Sequence, residues 1–557
     1  MSERHEHPYI PRLQDELSDG RISRREFLRI ATLLGVSAPA AYGLLGLVDP
    51  GRAFGQAALP KGGRVRVGMR VHEIKDPHTI SWVEASNTLR QNCDYLTRTG
   101  NDNVTRPWLL ERWEASPDLK TWTLRLRKDV KWSNGKQFTA DDVVWNIKRV
   151  VEPATGSSVL GLMKGFLLEE YDTEELDKDG KKKKSTHLWD SRAIEKVDDY
   201  TVRLNGKAAQ LAVPENFFHY PFLMLYPEDN GVFKVGMVGT GAFTIESYEV
   251  GRRAVMRARK DYWGRGPYLD TLEFIDLGSD ASPYIAALAS KQVDGLFEVD
   301  FGQLDAIKAL SHVEIYSVTT AQTAVARGKY NEKPFSDKRV RMALKLATDP
   351  QQVLDIVMRG AGSVAEHHHV APVHPEYAKM PPLKRDVARA KQLLTEAGYK
   401  DGIDVELVCQ NQPAWEQAAV TVMVEQWKDA GIRARINVMP STEFWKTWTK
   451  VPFGFTRWTH RPLGVMTYSL AYRSGVPWNE ASFSNPEFDR LLTEAEGTLD
   501  VDKRRAIMAK LEAIMVEDGP IVQPIWRAIQ TGYDKRVKGF AAHPTLYLFG
   551  EELAIQA

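Results

Sequence analysis

The densest run of chemically capable side chains is residues 455–479, FTRWTHRPLGVMTYSLAYRSGVPWN. It carries Trp458, Tyr468, Tyr472 and Trp478 together with Arg457, His460, Arg461 and Arg473, and no acid occurs between Phe455 and Trp478. Aromatic faces with a few fixed polar groups are what a small-molecule cleft needs to bury and orient its ligand. Planar guanidinium forks suit a carboxylate or a phosphonate. For each ring taken alone, packing in a core is an equally good use. Trp415 adds a further candidate, in the turn Asn411-Gln412-Pro413-Ala414-Trp415 ahead of a helix. His72 and Glu73 lie in a loop, Val71 to Pro77, at the carboxyl end of a strand, where α/β sheets collect ligands. A solvated polar loop is the alternative there.

Other chemistry is poorly represented. The run His367-His368-His369 looks metal-like, but adjacent side chains on an extended backbone point to opposite sides, which favours a polar loop over a metal site. Gly-x-Ser-x-Gly, His-Glu-x-x-His and Cys-x-x-Cys motifs are absent. The acid pairs Asp141-Asp142 and Asp198-Asp199 suit a helix start and a turn. Gly239-Thr240-Gly241-Ala242-Phe243 lacks the spaced glycines and lysine of a phosphate loop. The only cysteines, Cys93 and Cys409, sit among apolar neighbours and fit buried small hydrophobes better than a disulfide. No cofactor and no bound metal are expected. With 74 basic and 73 acidic residues, the chain has no charge excess to recruit nucleic acid or an anionic membrane.

A length of 557 residues calls for several compact units. In Thr121–Arg127, Trp122, Leu124 and Leu126 alternate with Thr123, Arg125 and Arg127, the pattern of a strand with one buried face. Asn134-Gly135 reads as a tight turn, and Thr139 with Asp141 and Asp142 starts a helix carrying Val143, Ile147, Val150 and Val151 on one face. Residues 86–97 read as a helix. Residues 169–190 juxtapose an acidic block and Lys181 to Lys184, which suggests an exposed hairpin with opposite charges facing. Further on, strand 404–409, a helix ended by Gly431 and strand 432–438 argue a parallel α/β lobe. The alternating stretch 312–324 and the strand 521–526 give two places where the chain crosses between lobes.

The N-terminus, Ser23-Arg24-Arg25-Glu26-Phe27-Leu28 followed by an apolar run from Ile30 to Val48, resembles a twin-arginine export signal. Cleavage after Gly55 or Ala57 is expected, with the twin-arginine machinery as a partner and a periplasmic destination. An uncleaved anchor is the alternative, weakened by the glycines, Ser37 and Pro39 in the run.

The stretch from Arg106 to Val151, with Pro334-Phe335 opening a Val-Arg-x-Ala-Leu helix and Val293-Asp294-Gly295, resembles family 5 solute-binding proteins of ABC importers, in register from about Arg64 onward. The resemblance implies an α/β, periplasmic binding protein-like fold of two lobes, the first with an extra subdomain, joined by a two-crossing hinge. The expected divisions are 1–57 leader, 61–318 first lobe with a subdomain near 99–190, 319–519 second lobe, and 520–557 return to the first lobe. It implies that the 455–479 stretch is a loop lining the cleft, which makes Trp458, His460, Arg461, Tyr468, Tyr472, Trp478 and Asn479 ligand contacts. Peptide-binding relatives place an aspartate after the loop tryptophan; arginines occur here instead, so a solute with an anionic group is expected. The implied role is substrate capture for an inner-membrane permease by a monomer, without catalysis. An ordinary peptide or metal-chelate receptor, an exported hydrolase, and a chaperone or chemoreceptor adaptor are the alternatives.

Overall fold

The computed structural model describes residues 7–47, 59–176, 180 and 182–556. Its backbone is one large mixed sheet with two differently built ends. At the first end, Arg64–Gly68 lies parallel to Thr271–Ile275 and to Gly295–Leu296, with the hairpin Phe243–Glu249 and Arg253–Ala258 outside them. At the other end, Ile403–Gln410 lies parallel to Ile432–Met439 and joins Phe453–Trp458. The helix Ala414–Lys428 links the two parallel strands, so the strand, helix, strand pattern closes as a parallel unit.

Two long strands, Val313–Gly328 and Ile525–Asp534, join the ends and pair antiparallel with each other. Up to Thr319 the first of them runs beside residues 528–534, whose Gly532 and Tyr533 pair with Leu296 and Gly295. From Thr323 it also pairs, along its other edge, with Phe453–Trp458, while Gln322 and Thr323 stay opposite Arg527 and Trp526. The chain therefore passes from the first lobe's sheet to the second's over Thr320 to Gln322, where the register shifts. These are the two crossings of the hinge.

The first lobe's subdomain is a four-stranded sheet of Leu110–Ala115, Thr121–Leu126, Thr201–Asn205 and Ile194–Asp198. Because the last two strands complete it, the unit extends to Asn205. Alternate residues of Thr121–Leu126 are buried, with Trp122, Leu124 and Leu126 inward. Asp142 accepts from the Thr139 amide at 2.8 Å and starts the helix Ala140–Val151. The acidic-basic stretch forms the hairpin Leu168–Leu176 and Lys182–Leu188, with Lys183 facing Glu175 at 2.9 Å and Lys184 facing Glu170 at 3.5 Å. Lys181 lies outside the described residues.

Several elements differ from expectation. The helix placed at 86–97 is Val83–Asn92, so it starts earlier and stops before Cys93. The stretch 455–479 is not one loop: it completes the strand Phe453–Trp458 and then forms the helix Gly464–Ala471. That helix is buried on every side, so it has no polar face from which a helical period could be read. The triple histidine is not a solvent-facing loop either. His367, His368 and His369 are all buried; the His367 ring accepts from the Gln523 amide, and His369 Nδ1 meets the Tyr472 hydroxyl at 2.6 Å. Both His367 and His369 adopt left-handed backbone, so the run is not extended. Cys93 and Cys409 are buried free thiols. No helix among the described residues is long and apolar enough to cross a membrane. The apolar run after the twin arginines is split into Arg24–Leu33 and Ala38–Leu44. The expected cleavage points lie outside the described residues.

Candidate functional site

The cleft opens where the carboxyl ends of first-lobe strands face the second lobe across the two crossing strands. The space between the walls, counted out into open solvent, is about 870 Å3, and it continues into a narrower recess. One wall comes from the first lobe, with His72 after Arg64–Gly68 and Trp82 and Glu84 at the start of the helix Val83–Asn92. The other wall comes from the second lobe, with Gln410 at the end of its strand, Trp415, Trp445 and Arg457. Glu298 and Arg527 lie on the floor between them.

Aromatic rings line the recess. Trp458, Trp448 and Trp478 meet edge to face at 5.8–6.1 Å between centroids, and the Trp458 indole donates to Glu480 at 2.8 Å. Glu480 also accepts from Arg327 at 2.7 Å and from the Thr456 hydroxyl at 2.6 Å. A buried carboxylate with three donors fixes the ring's orientation.

The charges are more nearly balanced than the sequence suggested. Arg457 lies 3.3 Å from Glu298 and 3.6 Å from Glu416, and Arg527 also binds Glu298. Burial pushes the Glu298 carboxyl up, but Arg527 and Arg457 outweigh it and hold it below the ordinary carboxylate range. Glu416 is fully buried and receives Gln410 Nε2 at 2.9 Å on both oxygens. Burial dominates there and raises its pKa to about 7, against the pull of Arg457. The Arg527 guanidinium also stacks on Trp415, 4.6 Å from its ring centroid. Two cleft side chains stand apart. Arg461 Nη1 binds Thr459 and the carbonyl of His460, and its guanidinium lies 5.2 Å from the Tyr220 ring, but it has no carboxylate partner among the described residues. Glu84 makes neither a side-chain hydrogen bond nor an ion pair with any described residue.

Of the residues singled out from the sequence, the structure brings His72, Trp415, Trp458, Arg461 and Trp478 to this space. It places the other five elsewhere. Glu73 is half exposed and faces Lys75 at 3.8 Å. His460 sits behind Arg461, with Nδ1 accepting from the Ala321 amide and Nε2 3.2 Å from Asn103. Tyr468 is core, its hydroxyl donating to the His368 carbonyl, and Tyr472 is held by His369. Asn479 ties a turn, exchanging hydrogen bonds with Phe483 and donating to the Arg473 carbonyl. Tyr468 and Tyr472 pack inward because the helix Gly464–Ala471, which replaces the expected loop, is buried on every side, whereas Glu73 faces solvent from its own loop. Arg473, counted among the cations, pairs with buried Glu496 at 2.6 Å. Trp82, Glu84, Tyr220, Glu298, Trp445 and Arg527 were missed; the one available signal was the position of Glu298 just after the Val-Asp-Gly turn.

Of the acids at the cleft, Glu298, Glu416 and Glu480 are paired with arginines or with a side-chain amide. Among the described residues, no group of three or more His, Cys, Asp or Glu side chains is placed to hold a metal ion. Comparison with known proteins agrees with a binding cleft. The chain is 27% identical over 494 residues to the periplasmic oligopeptide-binding protein OppA of Haemophilus influenzae, covering 84% of this chain and 88% of that one. Its fold matches the periplasmic binding protein AgaA from A. tumefacien R10 in complex with agropinic acid, at TM-score 0.77 and 20% identity over 89% of this chain and 99% of that one. It likewise matches a dipeptide-binding protein of Pseudoalteromonas sp. SM9913 in complex with Met-Leu, at TM-score 0.77 and 19% identity over 89% and 100%. The model of the middle region of the bacterial extracellular solute-binding proteins, family 5, matches residues 104–480, more than half of the sequence, and the chain belongs to that family.

Proposed function

We propose that this chain is the substrate-binding component of an ABC importer, working outside the cytoplasmic membrane with an inner-membrane permease and binding its solute without altering it. The solute enters between the lobes, contacts both walls and so favours the closed state. Any shift it produces is limited to its differential affinity for closed over open. The residues proposed to touch it are His72, Trp415, Trp458, Arg461 and Trp478, joined by Trp82, Glu84 and Tyr220. The observation that carries the reading is the cleft itself, a tryptophan-lined space between two lobes with charged side chains on both walls.

The solute carries at least one anionic group, which pairs with Arg461, the cleft arginine that has no carboxylate partner among the described residues. Glu84 favours a second, cationic or donor group on the same molecule, as in a peptide, an opine or an amino-acid derivative. The relatives fit that range, since they include an oligopeptide-binding protein and structures holding agropinic acid and Met-Leu. Native mass spectrometry of the purified full chain identifies what co-purifies, and calorimetry with that compound measures its affinity. Arg461→Ala is expected to weaken binding at least tenfold, by about 1.4 kcal/mol or more. Tight binding confined to cations or neutral sugars, or recovery of a chemically converted product, would refute the reading.

A further inference from the structure

The amino-terminal segment that bears the twin arginines is folded against both lobes. In Arg24–Leu33, capped by Ser23 with Glu26 bonding back to the Ser23 amide, Phe27, Leu28, Ile30 and Leu33 are buried while Arg24 and Arg25 face solvent. The segment is tied to the first lobe by Trp113, whose indole donates to the Leu33 carbonyl at 2.9 Å, and by the Tyr42 hydroxyl on Asp102 at 2.7 Å. It is tied to the second lobe through the helix Val501–Glu517. Arg505 reaches Glu26 at 2.6 Å and the Arg21 carbonyl at 2.9 Å, and Arg21 reaches Asp502 at 2.9 Å. That helix is anchored in the second lobe, with Lys345 donating to the Met515 and Val516 carbonyls.

Arg29 makes the bridge within one side chain. It is 2% exposed; its Nε donates to Glu215 of the first lobe at 3.0 Å, and its Nη2 donates to the Pro462 carbonyl of the second. Contacts that exist in only one relative position of two hinged bodies shift the population toward that position. A buried guanidinium shared by both bodies is lost to one of them when they separate.

We propose that residues 10–47 form an intramolecular strap that docks across both lobes and holds the leader-bearing chain closed, with the arginine pair left outward for the export machinery. The cleft of the strapped chain exchanges solute only when the lobes part, and removal of the leader frees the hinge. The surface under the strap thus has a defined occupant, the chain's own amino-terminal helices, which press apolar side chains inward and match Glu215 and Arg505 with Arg29 and Glu26. This goes beyond the solute-binding reading and stands or falls separately from it.

The test uses the full chain without ligand. Spin labels at Lys120→Cys and Ala418→Cys, exposed positions in the two lobes, report the interlobe distance, and the buried Cys93 and Cys409 stay unlabelled. Hydrogen exchange over residues 24–33 reports docking of the strap. The unaltered leader gives one narrow distance distribution. Arg21→Ala with Glu26→Ala and Arg29→Gln, which removes the side-chain ties to Asp502, Arg505, Glu215 and the Pro462 carbonyl while sparing the apolar contacts, adds a longer component. Phe27→Asp, which ejects the helix, does the same and speeds exchange at least tenfold. Undocking shown by exchange with an unchanged distance distribution overturns the proposal. So does a strap that exchanges as slowly in Phe27→Asp as before, since these contacts then do not hold it.

Discussion

The buried carboxyl of Glu416 allows the balance between burial and pairing to be measured. Its pKa lies at about 7 in the fold against 4.5 in an ordinary setting. Below pH 4.5 it is protonated whether the chain is folded or not. Between 4.5 and 7 the unfolded chain releases the proton first, so folding stability falls as pH rises, and above 7 the loss is complete. A difference of 2.5 in pKa corresponds to about 3 kcal/mol, of which about 2 kcal/mol falls between pH 5.5 and 8. Glu416→Gln keeps the shape and an acceptor for Gln410 and leaves Arg457 its other partner, Glu298. The stability of this variant relative to the parent is expected to rise by about 2 kcal/mol from pH 5.5 to pH 8. Urea titration of both proteins at the two pH values, read as the difference between them, removes the titration of every other group. A relative stability that is the same at both, within about 0.5 kcal/mol, would show that Arg457 keeps Glu416 ionised and that burial is not the dominant effect.

Three further substitutions separate structural from binding roles. Arg473→Ala strands the buried carboxylate of Glu496 and is expected to cost about 3–5 kcal/mol of stability while leaving the affinity of the folded protein within about twofold; a selective loss of binding in calorimetry would return Arg473 to the cleft. Trp458→Phe keeps one aromatic ring but removes the indole donor to Glu480 and part of the packing against Trp448 and Trp478, so the thermal midpoint should fall with a loss of about 1–3 kcal/mol, and an unchanged midpoint would mean that Glu480 is satisfied without it. Gly402 has φ +84°, and a Cβ there would lie 2.0 Å from the Gly431 carbonyl oxygen; Gly402→Ala should destabilise by at least about 1 kcal/mol in urea unfolding, and wild-type stability would show that the two turns move apart freely.

The fold was legible wherever the information is local. The alternation in Thr121–Leu126, the acids following Thr139, and the glycines at 398 and 431, both with positive φ, each answer to a backbone requirement within a few residues. The cleft was only half legible. Trp415, Trp458 and Trp478 are conspicuous by type, but Glu84, Glu298 and Arg527 come from three distant segments, and locally each belongs to an ordinary helix start, turn or strand. Counting arginines misled for the same reason: the glutamates that neutralise Arg457 and Arg473 lie at positions 298, 416 and 496, where no short-range pattern assigns them. The docking of the amino-terminal helices is likewise set by Trp113, Glu215 and Arg505, far from them in the chain.

The crossing between lobes and the floor of the cleft are the same few residues. Opposite Arg527 and Ala528, the strand Val313–Gly328 steps from Thr319 to Gln322, leaving Thr320 and Ala321 as an unpaired bulge. The bulge is held by side chains: Thr320 Oγ1 donates to the Arg527 carbonyl at 2.7 Å and accepts from the Gln322 amide at 2.9 Å, and the Ala321 amide donates to His460 at 3.0 Å. Gln322 and Glu298 both bind the Arg527 guanidinium beside the ligand space. The bulge breaks the register between the two crossing strands, which makes it a place where a rotation of the lobes can be taken up by the backbone. Arg527, opposite the bulge, is shared between Gln322, Glu298 and Trp415, so a solute held on this floor would sit beside the crossing itself.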